Sequence, residues 1–394
     1  MEIKCPICGT KIELEDKLCV GCGSNLNDIH QALLRKKKAS KSEEYNGYSI
    51  EELDSMFEFE PYSKGYALRE YLGLDSVVFV PSRYNGKSVV AISPNCFEGS
   101  DISEIYLPKS VKEIGNYAFS GCFGLNKVVL TDQIKKIGDS AFADCISLEK
   151  INFYDSLLQL GEKAFSGCVR LSKIKLSNKI EVLGEYCFDS CSSLEEIVLP
   201  ENLKRINAYA FLDCVKLKKV KFNQELSSIG DYAFSGCTSL KSALLSENIV
   251  SLGEAVFYNS TSLKSVYIGE KLNSLDGNVF YGCDSLETFK INENNKRLTT
   301  NGNSIIDKTT KALIAGCKTT RIDYNIKIIK KNSFCGYSTI EKIFIPDCVI
   351  SIDKEAFFNN SNLLICTSHK QKPKGWDQNW VVGDSKVIWD CNIL

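Results

Sequence analysis

Two cysteine pairs with the spacing of metal ligands lie at the start of the chain. In the stretch CPICGTKIELEDKLCVGCG, two residues separate Cys5 from Cys8, and two separate Cys19 from Cys22. Two such pairs can place four thiolates tetrahedrally around Zn²⁺, which takes closed four-sulfur sites in structural roles. A glycine follows each pair, and its backbone freedom lets amides approach the sulfurs. We therefore predict one structural zinc ion held by Cys5, Cys8, Cys19 and Cys22.

This segment resembles a zinc ribbon, and we expect residues 1–26 to form one around the short strand TKIEL. Four protein ligands leave no open position for water on the metal, so hydrolysis at the zinc is not expected. Residues 27–56 form the predicted basic helical or flexible linker, because HQALLRKKKASK carries five positive charges and no acidic residue. Such a run is either a solvated segment or a contact for RNA, DNA or an acidic partner.

The other cysteines and the histidines do not form a recognisable catalytic set. His30 and His369 are the two histidines of the chain, and neither is placed to activate a repeated thiol. Nothing resembles a glycine-rich phosphate loop. Seven cysteines follow a recurring phenylalanine by three residues, which favours small buried side chains, although strand spacing would also allow disulfides. These are Cys122, Cys145, Cys168, Cys191, Cys214, Cys237 and Cys283. We predict that the protein is not an enzyme.

A phrase repeated at intervals of 23 residues organises most of the chain. IGDYAFSGCTSL at 229–240 almost copies IGNYAFSGCFGL at 114–125. Within each repeat, L-x-x-I-x-L alternates as a short strand does, and I-G-x-x-A-F indicates a tight helical turn. One coil cannot bury its own apolar side, so neighbouring coils must stack. The aligned phenylalanines are Phe97, Phe119, Phe142, Phe165, Phe188, Phe211, Phe234, Phe257, Phe280, Phe334 and Phe357. The predicted fold is a repeat solenoid with a row of parallel β-strands and short helical turns.

The wording A-F-x-x-C-x-x-L-x-x-I-x-L-P resembles the BspA-like leucine-rich repeats over residues 57–394. The resemblance implies a bacterial protein with an N-terminal cap at about 57–95, in which Asn85-Gly86 forms a hairpin turn. It also implies a hairpin insertion at about 292–322, around NSIIDKTTKALIAG, where one gap between phenylalanines widens to 54 residues. A C-terminal cap at about 367–394 would contain the three tryptophans of the chain.

The outward positions of the strand row are the candidate partner-binding surface. They lie eight and ten residues after each phenylalanine, and the first half of the row is rich in lysine. Charged residues on exposed strands also serve solubility. The functional alternative is an acidic protein partner bound to the lysines, with apolar side chains as anchors. The predicted partner-binding residues are Lys127, Lys150, Lys173, Lys175, Lys219, Lys221, Leu244, Tyr267 and Phe344.

Composition and charge limit the functional classes. A net charge of −1 in 394 residues gives no global attraction to nucleic acid or to anionic membranes. No secretory signal or membrane-spanning stretch is recognised, so we expect a cytoplasmic protein–protein interaction scaffold of undetermined oligomeric state. One alternative is a cell-surface adhesin, because BspA-like proteins are often exported. The other is a nucleic-acid-associated regulator acting through the ribbon and the basic linker.

Overall fold

A computed structural model describes residues 48–391 together with the strands Ile3–Lys4 and Lys11–Ile12. The chain divides into two compact units, Met1–Val169 and Arg170–Leu394. The two N-terminal strands pair antiparallel, with Ile3 opposite Ile12. The four cysteines predicted to bind zinc, and residues 27–47 of the predicted linker, lie outside the described residues.

The first unit has a capped helix before its repeats. The helix Ile50–Met56 begins after Ser49, whose side chain accepts a hydrogen bond from the Glu52 amide. In return the Glu52 carboxylate accepts one from the Ser49 amide at 2.7 Å, which completes a capping box. The predicted turn at Asn85-Gly86 joins an antiparallel hairpin, and both residues have positive φ. The strands of this entry segment are Phe57–Tyr62, Gly65–Tyr71, Arg83–Tyr84 and Lys87–Ile92.

Two rows of short parallel strands follow in the first unit. Those of the first row contain three residues each: Val77–Phe79, Glu104–Tyr106, Lys127–Val129 and Lys150–Asn152. Those of the second row contain two residues each: Glu113–Ile114, Lys136–Ile137 and Gln159–Leu160. The second row continues the sheet of the entry segment, because Lys87–Ile92 pairs parallel with Glu113–Ile114.

The second unit has the same two rows. Its first row consists of Lys173–Lys175, Glu196–Val198, Lys219–Lys221, Ser242–Leu244, Ser265–Ile268, Thr288–Ile291, Lys342–Ile345, Leu364–Thr367 and Lys386–Ile388. Its second row consists of Val182–Leu183, Arg205–Ile206, Ser228–Ile229, Ser251–Leu252, Ile328–Ile329 and Ser351–Ile352. Two further strands, Phe357–Asn360 and Val381–Gly383, pair with each other near the end.

The long gap in the repeat contains an antiparallel three-stranded meander. Its strands are Leu298–Asn301, Ser304–Asp307 and Ala312–Ala315. The last of these pairs parallel with Ile328–Ile329, so it occupies a second-row position beside the following coil. Near the end of the chain, Trp376 and Trp380 are buried against Phe357, and the Trp376 indole donates to the Val349 carbonyl.

The structure differs from the sequence prediction on the side opposite the first row. We predicted short helical turns there, but the repeats have non-helical turns, and the described repeats contain a single 3₁₀ helix, Gly277–Phe280. The reason lies in the backbone amides. Those of Tyr117, Phe119 and Gly121 donate to carbonyls 22 residues ahead, in the next coil. These amides are therefore not available for intrahelical bonds, and the turns form a ladder along the stack.

The recurring phenylalanines form the centre of each stack. In the first unit the rings of Phe97, Phe119, Phe142 and Phe165 lie parallel, with centroids 5.0–5.3 Å apart. The glycine of the I-G step has a steric cause. A Cβ at Gly161 would lie 2.4 Å from the Asp139 amide nitrogen of the preceding coil. The repeated phrase is thus required by the close approach of one coil to the next.

Candidate interaction surface

The first-row strands present two outward side chains and bury the one between them. In Lys219–Lys221 both lysines are exposed and Val220 is buried, as expected from the two-residue period of a strand. Parallel pairing then aligns equivalent positions of neighbouring coils, so that Lys219 lies opposite Glu196 and Lys221 opposite Val198. Each unit therefore displays two columns of outward side chains, which we call its strand face.

On the strand face of the first unit, Lys127 already has local partners. Its Nζ lies 3.0 Å from the Glu104 carboxylate, hydrogen-bonds the Tyr106 hydroxyl, and lies 4.8 Å from the centroid of the Tyr106 ring. Partial burial alone would lower the pKa of Lys127, but the hydrogen bonds to Tyr106 and Glu104 raise it above the ordinary lysine value. Lys150 is exposed in the next strand. Of these two lysines, Lys127 is the less available to a partner.

The second unit carries the other four predicted lysines, and all of them are exposed. Lys173 and Lys175 project from one strand, and Lys219 and Lys221 project from another two coils away. The ion pairs in this region involve lysines outside the strand face, namely Lys204 with Glu181 and Lys218 with Glu195. Glu196, on the intervening strand, is the one acidic residue among the outward positions of these three strands. This part of the face therefore has an excess of positive charge.

A groove that was not predicted from the sequence runs beside this positive region. It has a volume of about 630 Å³ and an apolar wall that includes Val198, which is 62% exposed between Lys175 and Lys221. Val198 was visible in the sequence as an apolar residue at an outward position, which is the signal that could have identified it. The groove is lined by Lys175, Leu176, Asn178, Val198, Leu199, Glu201, Lys221, Phe222, Asn223, Gln224 and Glu225.

The three predicted apolar anchors do not all lie together. Leu244 is 64% exposed and lies opposite Tyr267 in one parallel sheet. The Tyr267 hydroxyl donates to Glu247 at 2.6 Å, and this bond raises the pKa of Tyr267. The ring is half-buried. Phe344 is also half-buried, but it belongs to a separate three-stranded sheet with Leu364–Thr367 and Lys386–Ile388. Leu244 and Tyr267 are therefore adjacent and can form one apolar site, whereas Phe344 lies in a different sheet.

The repeated cysteines are buried, as predicted, and they also donate hydrogen bonds. The Sγ atom of Cys145 donates to the Phe119 carbonyl at 3.2 Å, 26 residues earlier in the chain. The same bond recurs at Cys122, Cys168, Cys214, Cys237 and Cys283. Ser260 takes the equivalent position in one coil and makes the equivalent bond to Phe234 at 2.9 Å. This donor role was not predicted, because the cysteines were expected only as small buried apolar side chains.

Burial also makes these thiols chemically inert at neutral pH. It raises the pKa of Cys122 to about 12 and holds that of Cys145 well above the ordinary value. The thiolate is the reactive form of cysteine, so thiols with such a pKa are poor nucleophiles. Within residues 48–391, no group of three or more histidine, cysteine, aspartate or glutamate side chains is arranged to hold a metal ion. None of the helices in the described part of the chain is both long and apolar enough to cross a membrane.

Solved structures of bacterial leucine-rich repeat proteins are similar to this chain. One from Bacteroides ovatus is 24% identical, covers 85% of this chain and 98% of its own length, and has a TM-score of 0.54. This likeness supports a parallel β-solenoid of the leucine-rich repeat type. The T. pallidum leucine rich repeat protein is 30% identical over 47% of this chain and 88% of its own, with a TM-score of 0.45. A leucine rich cell surface protein from Faecalibacterium prausnitzii is 20% identical over 81% and 93%, with a TM-score of 0.46.

No curated protein matches the chain. The BspA type leucine rich repeat region (6 copies) matches it over residues 90–214, 181–309 and 299–372. These matches together run from residue 90 to residue 372, well over half of the sequence. The resemblance seen in the repeat wording is therefore confirmed, and the chain belongs to the BspA type leucine-rich repeat family.

Proposed function

We propose that this protein is a non-enzymatic scaffold that binds an acidic protein partner on the strand face of its second unit. The observation that supports this most directly is the group Lys173, Lys175, Lys219 and Lys221. Four exposed lysines stand around one acidic residue, beside a groove with the exposed apolar side chain of Val198. Complementary charge speeds association and selects partners, whereas apolar side chains slow dissociation. The lysines supply the complementary charge, and the groove beside them supplies the apolar contact.

Leu244 and Tyr267 are proposed as a further apolar anchor of the same surface. They lie in the coils that follow the lysines, and they are adjacent through parallel pairing. Lys127, Lys150 and Phe344 remain proposed contact residues. Lys127 would have to exchange its bonds to Glu104 and Tyr106 for bonds to the partner. We therefore expect Lys127 to contribute less than Lys175 or Lys221.

We propose in addition that Cys5, Cys8, Cys19 and Cys22 hold a structural Zn²⁺. The proposal is supported by their spacing in the sequence and by the antiparallel strands Ile3–Lys4 and Lys11–Ile12, which flank the first pair. A cytoplasmic location is proposed on the basis of the many free cysteines. Thiols trapped with acid and alkylated directly from the native cell test this location. Cross-links among the repeated cysteines, such as Cys122 and Cys145, would favour the cell-surface alternative.

The interaction surface is tested by charge reversal. The full chain and a variant with Lys173, Lys175, Lys219 and Lys221 replaced by glutamate are used to capture proteins from the native cell, with identification by mass spectrometry. We expect the main acidic partner to be lost from the variant. Each exposed substitution should change the free energy of unfolding by less than about 0.5 kcal/mol, so the fold should be retained.

A matched control reverses the same number of charges outside the strand face. Lys216, Lys271, Lys296 and Lys318 are exposed lysines of the second unit that lie outside its strands, and their reversal should leave capture unchanged. A second control deletes residues 1–42. If capture survives reversal of the strand-face lysines but fails on this deletion, the ribbon or linker is the binding site and the proposal is wrong. Capture of nucleic acid that weakens steeply with salt would indicate the regulator alternative.

A further inference from the structure

The last strands of the second unit bring two cysteines together. Lys386–Ile388 pairs parallel with Leu364–Thr367, with Cys366 opposite Ile388. Beyond the last strand the chain stays attached to the same neighbour, because the Cys391 amide donates to the Thr367 carbonyl at 2.9 Å. This backbone bond holds Cys391 beside the strand that carries Cys366.

The backbone bond joins Cys391 to the residue that follows Cys366, so the two thiols lie near each other and interact electrostatically. Cys366 is 2% exposed, whereas Cys391 is half-buried and has access to solvent. Burial, followed by the neighbouring Cys391 thiol, raises the pKa of Cys366. Cys391 is therefore the sulfur that an external reagent would meet first, and Cys366 lies within reach to complete a second step.

Other cysteines of this unit have different surroundings. The thiols of Cys214, Cys237 and Cys283 donate to backbone carbonyls of another coil and are buried. Cys348 resembles Cys391 in being half-buried, but its Sγ donates to the Ile326 carbonyl at 3.4 Å. Among the described residues, no backbone carbonyl accepts such a bond from Cys366 or Cys391, which sets this pair apart from these four cysteines and makes Cys348 a suitable control.

We propose that Cys366 and Cys391 form a site of reversible disulfide cross-linking, oxidised by a small-molecule disulfide such as oxidised glutathione. The Cys391 thiolate attacks one glutathione sulfur, so that a mixed disulfide forms and the other glutathione leaves as a thiolate. Cys366 then loses its proton and attacks the Cys391 sulfur, which releases the second glutathione. Two protein thiols are oxidised, one glutathione disulfide is reduced to two thiols, and the two protons are transferred to these products.

The cross-link would fasten the last strand to the rest of the unit. Without it, Lys386–Ile388 is held by the backbone bonds to one neighbour and by packing of residues such as Trp389. An edge strand held in this way opens more readily than the central strands of a sheet. A disulfide between Cys366 and Cys391 closes the loop between them and limits that opening. The stability of the end of the stack would then depend on the redox state of its surroundings.

The test is oxidation of the full chain in mixtures of reduced and oxidised glutathione at mildly alkaline pH. After quenching with acid and alkylation in denaturant, peptide mass spectrometry locates every remaining thiol, including those of the N-terminal pairs. We expect one peptide in which Cys366 is joined to Cys391. Amide exchange in Lys386–Ile388 should slow by at least about tenfold after oxidation.

Cys391→Ser should abolish this peptide and the change in amide exchange, and Cys348→Ser should leave both as in the unsubstituted chain. Cys391 is half-buried, so its serine variant should fold even if Cys366→Ser does not. The proposal is overturned if glutathione accumulates on Cys391 while Cys366 remains open to alkylation in denaturant. Cross-linking of either residue to a different cysteine, or failure of both to oxidise, would also overturn it.

Discussion

The hydrogen bonds of the repeated cysteines predict a specific order of stability among substitutions at Cys145. If the residue is only a small apolar side chain, alanine should replace it better than serine does. If its S–H bond to the Phe119 carbonyl matters, serine should be the better replacement, because serine can donate to the same oxygen. Ser260 already makes this bond in another coil, at 2.9 Å to the Phe234 carbonyl. We predict that Cys145→Ser is more stable than Cys145→Ala.

The magnitude follows from what alanine removes. Loss of one fully buried sulfur costs about 1 kcal/mol in transfer free energy, on the scale of a buried methylene group. The space left behind adds several tenths of a kcal/mol, and the lost S–H bond adds about 0.5 kcal/mol. The Phe119 carbonyl keeps a second donor, the Cys122 amide at 3.2 Å, so no oxygen is left without a partner. Cys145→Ala should therefore lower the free energy of unfolding by about 2 kcal/mol.

Serine keeps the donor and most of the volume, so its cost should be about half as large. The assay is urea unfolding of the full chain followed by far-ultraviolet circular dichroism, with midpoints compared among the three proteins. Ser260→Ala is the matched control, because it removes the equivalent bond at a position where the chain has a serine. It should lower the free energy of unfolding by about 1 kcal/mol. If Cys145→Ser unfolds at lower urea than Cys145→Ala, the bond contributes nothing and the reasoning is refuted.

Three further predictions concern pH, glycine and zinc. Burial raises the pKa of Cys122 from 9.0 to about 12, so the unfolded chain loses thiol protons that the folded chain keeps. The resulting stabilisation is complete below about pH 9 and is lost as pH rises towards 12; urea midpoints should fall over that range, and less steeply in Cys122→Ser. Gly161→Ala should lower the free energy of unfolding by about 3 kcal/mol, because the new Cβ would lie 2.4 Å from the Asp139 amide nitrogen. At Gly124 the nearest atom is 3.3 Å away, so alanine there should cost under about 1 kcal/mol. Equal urea midpoints for the two variants would contradict this. Metal analysis should find one Zn²⁺ per chain, and chelation should unfold residues 1–26 while the circular dichroism of the repeats persists; fresh protein without zinc would count against the site.

The positions of the repeated residues were predictable because every coil packs against its neighbours in the same way. Phe119, Phe142 and Phe165 recur at a fixed interval, and the structure stacks their rings 5.0–5.3 Å apart. The outward strand positions were also predictable, since alternation along a strand is a local property. The prediction of helical turns was wrong, because every second amide of the turn bonds to the next coil and the amides between them, such as that of Ser120, close only single tight turns. The second row of strands was missed, since two-residue strands are too short to give a periodic signal.

By itself, the sequence determined the family, the solenoid fold, the buried cysteines and the exposed lysines of the strand face. The fold and the buried and exposed positions follow from the repeat period and from the polarity pattern within each coil, and the family follows from the resemblance in repeat wording. Only the tertiary structure decided which side chains meet across coils. In the structure, Lys127 pairs with Glu104 and Tyr106, and Val198 lies beside a groove. Cys391 lies beside the strand that contains Cys366. Such contacts depend on the register between segments about 23 residues apart, where backbone pairing fixes neighbours that no local pattern specifies.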